Sequence, residues 1–184
     1  MRKLIYAINL TIDGCFDHTK VIGSEAMLEY WTQVLRRADL LVYGRVTYQL
    51  MVPYWPDVAK SRSMPTVGND FADTFNSLDK VVFSRSLEGA EDKKTRIINT
   101  DLHDEILKLK QEQGKDILVG GVALPSQLIA LGLVDEFLFV VHPVIAGEGK
   151  RLMEGIDLQN GLPLKLVEST SFKPGFVALH YLKQ

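Results

Sequence analysis

The chain has 184 residues, 46% hydrophobic and 24% charged, the make-up of a soluble globular protein with an ordinary core. Lys and Arg number 21 against 23 Asp and Glu, a formal net charge of −2, which excludes the broad basic surface of a nucleic-acid-binding domain. A single cysteine excludes an internal disulfide and a thiolate metal cage, and no apolar run reaches the roughly 20 residues of a membrane helix. The N-terminus, Met1 to Asn9, lacks the longer apolar region and cleavage site of a signal peptide. A cytoplasmic protein of one domain, residues 1–184, with neither nucleic acid nor membrane as partner, is expected.

Apolar runs alternate with helical patterns along the chain. Leu4 to Leu10 reads as a strand that ends at the turn Asp13-Gly14. Ser24 to Ala38 reads as a helix, with Met27, Trp31, Val34, Leu35 and Ala38 on one face, Ser24 as N-cap and Glu25 in the first turn. Asp39 to Tyr43 is a short strand, and Arg45 to Met51 a short helix stopped by Pro53 and Pro56. Residues 57–69 carry no clear period and read as loop, before a helix over Phe71 to Ser77. Strands follow over Lys80 to Ser84 and Arg96 to Asn99, then a helix over Asp101 to Glu112 and a strand over Asp116 to Val119. Leu124 to Leu131 is a helix with Gly132 after its end, and Glu136 to Val141 a strand. Leu164 to Ser171 and Val177 to Leu182 form a hairpin through Pro174-Gly175. Strands separated by helices imply parallel pairing through right-handed crossovers. The fold class is therefore α/β: a mixed, mostly parallel sheet in three layers, helices on both faces, and a C-terminal antiparallel hairpin.

In such a sheet ligands bind beyond the carboxyl ends of the strands, and three strand ends here carry suggestive residues. At Tyr43-Gly44-Arg45-Val46-Thr47-Tyr48, Gly44 permits close approach, a helix start offers free N–H groups, Arg45 a phosphate-gripping fork and Thr47 a hydroxyl. The same segment also reads as a plain strand–Gly–helix turn with an exposed arginine. At Val119-Gly120-Gly121-Val122-Ala123-Leu124 the paired glycines suit a pyrophosphate, or simply a tight turn. At Phe83-Ser84-Arg85-Ser86 a hydroxyl and a cation suit a ribose phosphate, or a polar strand end. There is no P-loop, no full GxGxxG and no nucleophile elbow. His18, His103, His142 and His180 lack metal-ligand spacing, so no metal site is expected. His142 reads as a strand-end residue, and Cys15 as a partly buried thiol.

In this order, Leu10-Thr11-Ile12-Asp13-Gly14, the three strand ends, Gly132-Leu133-Val134-Asp135-Glu136 and His142-Pro143-Val144-Ile145-Ala146-Gly147-Glu148-Gly149 resemble one family over nearly the whole chain. It is the dihydrofolate-reductase-like family that includes the C-terminal reductase domain of the riboflavin-biosynthesis enzyme RibD. The resemblance implies a dihydrofolate-reductase-like fold and an NADPH-dependent reductase. Gly44, Arg45 and Thr47 match the family's phosphate-binding turn, and Ser84 and Arg85 the strand end near the 2′-phosphate. Gly120, Gly121, Val122, Ala123 and Leu124 match the turn under the pyrophosphate, and Ala7 and Ile8 the strand against which the nicotinamide lies. The family also suggests a homodimer, for which Phe137 to Val141 and the final hairpin are candidate surfaces.

The substrate side departs from the pattern. Folate reductases hold the pterin with a carboxylate on the first helix, whereas here Met27 and Leu28 are nearest by spacing, with Glu25 and Glu29 to either side. A small heterocyclic substrate of ribosylaminopyrimidine type, 5-amino-6-(5-phosphoribosylamino)uracil or a relative, is the first expectation. Folate reduction, and a non-catalytic nucleotide-binding protein, are the alternatives. The cofactor carries the hydride chemistry and the protein supplies orientation. Asp13 is the first candidate for proton supply and substrate contact, or else an Asp-Gly turn residue, and Glu25 is the second. Trp31, Tyr54 and Trp55 offer rings to wall the pocket, although Trp31 also belongs to the helix's apolar face.

Overall fold

The computed structural model describes residues 1–21, 23–155, 158 and 161–184. Its strands are β1 (Leu4–Thr11), β2 (Ala38–Gly44), β3 (Asp79–Phe83), β4 (Thr95–Ile98), β5 (Asp116–Val119), β6 (Glu136–His142), β7 (Leu164–Phe172) and β8 (Phe176–Lys183). Its helices are α1 (Glu25–Arg36), α2 (Arg45–Met51), α3 (Tyr54–Ser61), α4 (Thr66–Ser77), α5 (Leu102–Gln111) and α6 (Ala123–Ala130). The strands form one sheet in the order β4-β3-β2-β5-β1-β6-β8-β7. From β4 to β6 every pairing is parallel, and β8 and β7 add an antiparallel edge. The mixed sheet with its C-terminal hairpin is the architecture expected from the alternating pattern.

Successive strand residues point to opposite faces, and both faces of the parallel part are buried. Leu4, Tyr6, Val42, Ile117 and Val119 pack against Ile106 and Leu109 of α5 and Leu124 and Leu128 of α6. Ile5, Leu41, Val82 and Leu118 pack on the other face against Val34 and Leu35 of α1, Tyr48 of α2, and Phe71 and Phe75 of α4. At the amino edge, buried Glu136 accepts from Lys3, Arg37 and His180. Burial raises its pKa, but the three donors together outweigh burial and hold it below the usual carboxylate value.

The expected loop over 57–69 is instead the end of α3 and the start of α4. Pro53 caps α3 and Pro56 lies in its first turn, where no intrahelical acceptor awaits an N–H. The prolines that stop α2 therefore also start α3. Arg62 ends α3 in the left-handed region at φ 56°, and Pro65 precedes α4. α1 stops at Arg36, because Ala38 is already a buried strand residue. Strand β6 lies between β1 and β8 with Phe137, Leu138 and Val140 buried, so Phe137 to Val141 is core rather than a surface for a partner. No helix among the described residues is long and apolar enough to cross a membrane.

Candidate functional site

Strand β5 is short, and its neighbours are not. It pairs with β1 only as far as Tyr6 and with β2 only as far as Val42, while β1 continues to Thr11 and β2 to Gly44. The sheet therefore carries a slot at its carboxyl edge. Its floor is the turn Gly120-Gly121, and its walls are Ala7 to Asn9 on one side and Tyr43 to Gly44 on the other. Ala7, Ile8 and Asn9 are half-buried in a strand whose remaining residues are buried.

The floor is held from within the protein. A Cβ on Gly120 would stand 2.8 Å from the Tyr43 ring, and one on Gly121 would stand 2.2 Å from Thr47 Oγ1, at φ +88°. The Tyr6 hydroxyl donates to the Gly121 carbonyl at 2.9 Å, and burial pushes its pKa up, so it remains a donor. The paired glycines are thus required by the chain's own packing. Gly44 differs: its backbone is extended at φ −83°, and a Cβ there would meet Leu124 Cβ at an ordinary 3.7 Å.

Two helices start beside this floor without a side-chain cap. Both α2, after Gly44, and α6, after Val122, lack a capping oxygen and an acid in the first turn. By contrast α1 and α5 are capped by Ser24 and Asp101 and carry acids there. Unfilled N–H groups at a positive helix end favour an anion. Arg45 opens α2, exposed, with Nη1 donating to Gln49 at 3.0 Å. One strand over, Gly44 pairs with Phe83, and Ser84 Oγ accepts from the amides of Ser86 and Leu87, closing a turn that leaves Arg85 exposed. Val122 and Ala123 sit at the α6 start, and Leu124 packs into the core below. This donor set, N–H groups and guanidinium groups without a competing carboxylate in those first turns, fits the phosphates of a dinucleotide.

The candidates for substrate and proton divide. Asp13 is occupied: it accepts from Thr11 Oγ1 at 2.6 Å, from the amides of Ala146 and Gly147 at 3.0 Å each, and pairs with Arg151 at 3.4 Å. The Thr11 hydroxyl and these amides hold its carboxyl well below the usual range, the reverse of what an acid needs. Glu25 is exposed on the first turn of α1. Tyr54 is exposed too, its ring on Trp55 and its hydroxyl near Met64, within the α3–α4 segment. Trp31 does reach the slot wall, where its indole N–H donates to Asn9 Oδ1 at 3.0 Å. His142 Nε2, at the end of β6, lies 3.3 Å from the same oxygen. Asn9 escaped sequence reasoning, although an asparagine among the apolar residues of Leu4 to Leu10 was the available signal. His142 was visible only as a strand end.

The model of the RibD C-terminal domain matches residues 2–178. The uncharacterized protein YyaP of Bacillus subtilis (strain 168) is 33% identical over 98% of this chain and 94% of its own length. Among solved structures, a protein from Shewanella sp. PV-4 provisionally assigned to riboflavin biosynthesis superposes at a TM-score of 0.76 with 18% identity, covering 100% of this chain and 99% of that one. The dihydrofolate reductase of Enterococcus faecalis, solved with NADP(H), superposes at 0.63 with 13% identity, covering 99% and 96%. With a family match across almost its entire length, on the sheet and strand-end turns described above, the chain belongs to the RibD C-terminal domain family.

Proposed function

We propose that this chain is an NADPH-dependent reductase that transfers a hydride to a planar heterocycle of ribosylaminopyrimidine type, and that it works as a homodimer. The observation that carries the reading is the slot above Gly120-Gly121, flanked by two uncapped, acid-free helix starts and two exposed arginines. Membership of a reductase family and the fold shared with a dihydrofolate reductase solved with NADP(H) support it. When bound, NADPH supplies the hydride. The α2 and α6 amides take the phosphates, and Arg45 and Arg85 select the form with the 2′-phosphate. The half-buried strand segment at Ala7 and Ile8 gives the nicotinamide a wall through its backbone edge, and the short β5 leaves room beside it. Trp31 and Asn9 face the substrate. Asp13 ties down the loop beyond β6 rather than giving the proton. Glu25 and Glu29 are exposed on α1, while Met27 and Leu28 pack into the core clusters, which argues against pterin recognition by an α1 carboxylate.

Equilibrium titration with NADPH and NADH tests the reading. The protein should bind NADPH saturably and prefer it. Arg45→Ala should weaken NADPH by about ten-fold or more, the worth of a charge-assisted hydrogen bond, and leave NADH nearly unchanged. Equal losses for both would remove Arg45 from the phosphate site, and no binding of either would sink the reductase.

A further inference from the structure

We infer that Asn9 is a specificity-determining residue that offers two N–H donors to the substrate, so that the slot selects rings presenting a carbonyl or imine acceptor over rings presenting an amino group. The inference rests on the reductase reading for the use of the slot, but its argument comes from one carboxamide.

The orientation of that carboxamide is forced. An indole N–H can only donate, so the Asn9 atom 3.0 Å from Trp31 Nε1 must be the oxygen. His142 Nε2, 3.3 Å from the same oxygen, can then bond only by donating, which places the proton on Nε2. Two donors from two elements, α1 and β6, lock Oδ1 inward. His142 is itself stacked on Phe176, and Trp31 meets Tyr30 edge to face, so neither clamp swings freely. The amide nitrogen has no acceptor among the described residues and is not buried. It belongs to the last half-exposed residue of the slot wall. A ring entering the slot therefore meets a fixed pair of N–H donors. A ring oxygen or unprotonated ring nitrogen satisfies them, while an exocyclic amino group confronts donor with donor and leaves both unpaired, the costly outcome in a partly desolvated site. Trp31 acts through Asn9 and is a positioning residue.

Asn9→Asp inverts the outward polarity with almost no change in shape, since Trp31 and His142 still find an oxygen. Two probes of the same shape are titrated by calorimetry onto the full chain: 4-pyridone, with a ring carbonyl acceptor, and 4-aminopyridine, whose ring nitrogen is protonated at neutral pH so that it presents donors alone. The wild type should favour 4-pyridone by about ten-fold, and Asn9→Asp should swing the ratio toward 4-aminopyridine by about ten-fold or more. Trp31→Phe, which frees the amide to turn over, should bring the ratio toward parity while thermal melts report the fold. A ratio unmoved by Asn9→Asp, a wild-type preference for 4-aminopyridine, or wild-type binding of neither probe overturns the inference. NADPH is titrated separately onto the same proteins. Intact NADPH binding with an unmoved probe ratio removes Asn9 alone, whereas a swing in the ratio without NADPH binding keeps Asn9 and removes the cofactor.

Discussion

Gly120, Gly121 and Gly44 share one strand-edge neighbourhood, and three different environments decide what each can tolerate. At Gly121 a side chain meets both a left-handed φ and the Thr47 hydroxyl at 2.2 Å. Gly121→Ala should therefore cost about 1–3 kcal/mol and lower Tm by roughly 3–10 °C in a thermal melt. Gly44→Ala meets neither obstacle and should leave Tm nearly unchanged. A loss of NADPH affinity in Gly44→Ala at unchanged Tm would then report the approach of the ligand itself; unchanged affinity would remove Gly44 from the cofactor site. The Gly-Gly pair was legible in the sequence as a turn, but its cause was not: the Tyr43 ring and Thr47 hydroxyl that exclude a Cβ come from β2 and α2. Asn9 was hidden for a similar reason. A single polar residue in an apolar strand has no meaning until Trp31 and His142 arrive from two other elements to orient it.

The segment after β6 has no regular structure of its own and is held by the end of β1. Ile12 donates to the Val144 carbonyl, Asp13 accepts from Ala146, Gly147 and Arg151, and the buried Cys15 Sγ would crowd a Cβ on Gly149 at 2.9 Å. The folded-state pKa of Asp13 lies below its unfolded value. Its contribution is thus complete above the ordinary Asp value of about 3.9 and is lost as pH falls below it toward the folded-state value. Protection factors at Ala146 and Gly147, which divide out the intrinsic pH dependence of amide exchange, should be high at neutral pH and fall in that acid window, whereas Asp13→Ala should show low protection throughout. Protection that persists in Asp13→Ala would show that another contact holds the loop. Helices with a capping residue and an apolar face, such as Ser24 before α1 and Asp101 before α5, could be read directly from spacing. The turn-rich stretch over 57–69 could not, because only Val58 of α3 is buried and α4 gains its opening turns by packing Gly68 and Asn69 against Met64.

Across the whole sheet, the two edges differ. β4 has four residues, too short to invite pairing, whereas β7 has nine and is exposed along most of its length. Leu166 is 50% and Val167 51% exposed there, and a long edge strand with exposed apolar residues is a template for a second chain. Since β6 is internal, the hairpin is the surface left for the proposed homodimer. Sedimentation velocity should show a dimer for the wild type and a monomer for Leu166→Lys, with the far-ultraviolet spectrum unchanged. A wild-type monomer would sink the assembly, and a dimer indifferent to Leu166→Lys would move the interface away from β7.

The alternation of apolar runs and helical stripes by itself determined the α/β class, the parallel core and the antiparallel C-terminal edge, because burial on one or both faces imposes its period on the residues that build each element. The order of the strand-end motifs determined the family. What only the tertiary structure decided is everything that depends on residues distant in the chain meeting. The slot exists because β5 is shorter than both its neighbours. Asp13 is engaged because the Ala146 and Gly147 amides and the Arg151 guanidinium reach it from beyond β6. Asn9 presents nitrogen rather than oxygen because an indole N–H from α1 can bond to nothing else. Local pattern records which face of an element is buried; it holds no information about the direction of a hydrogen bond across the fold.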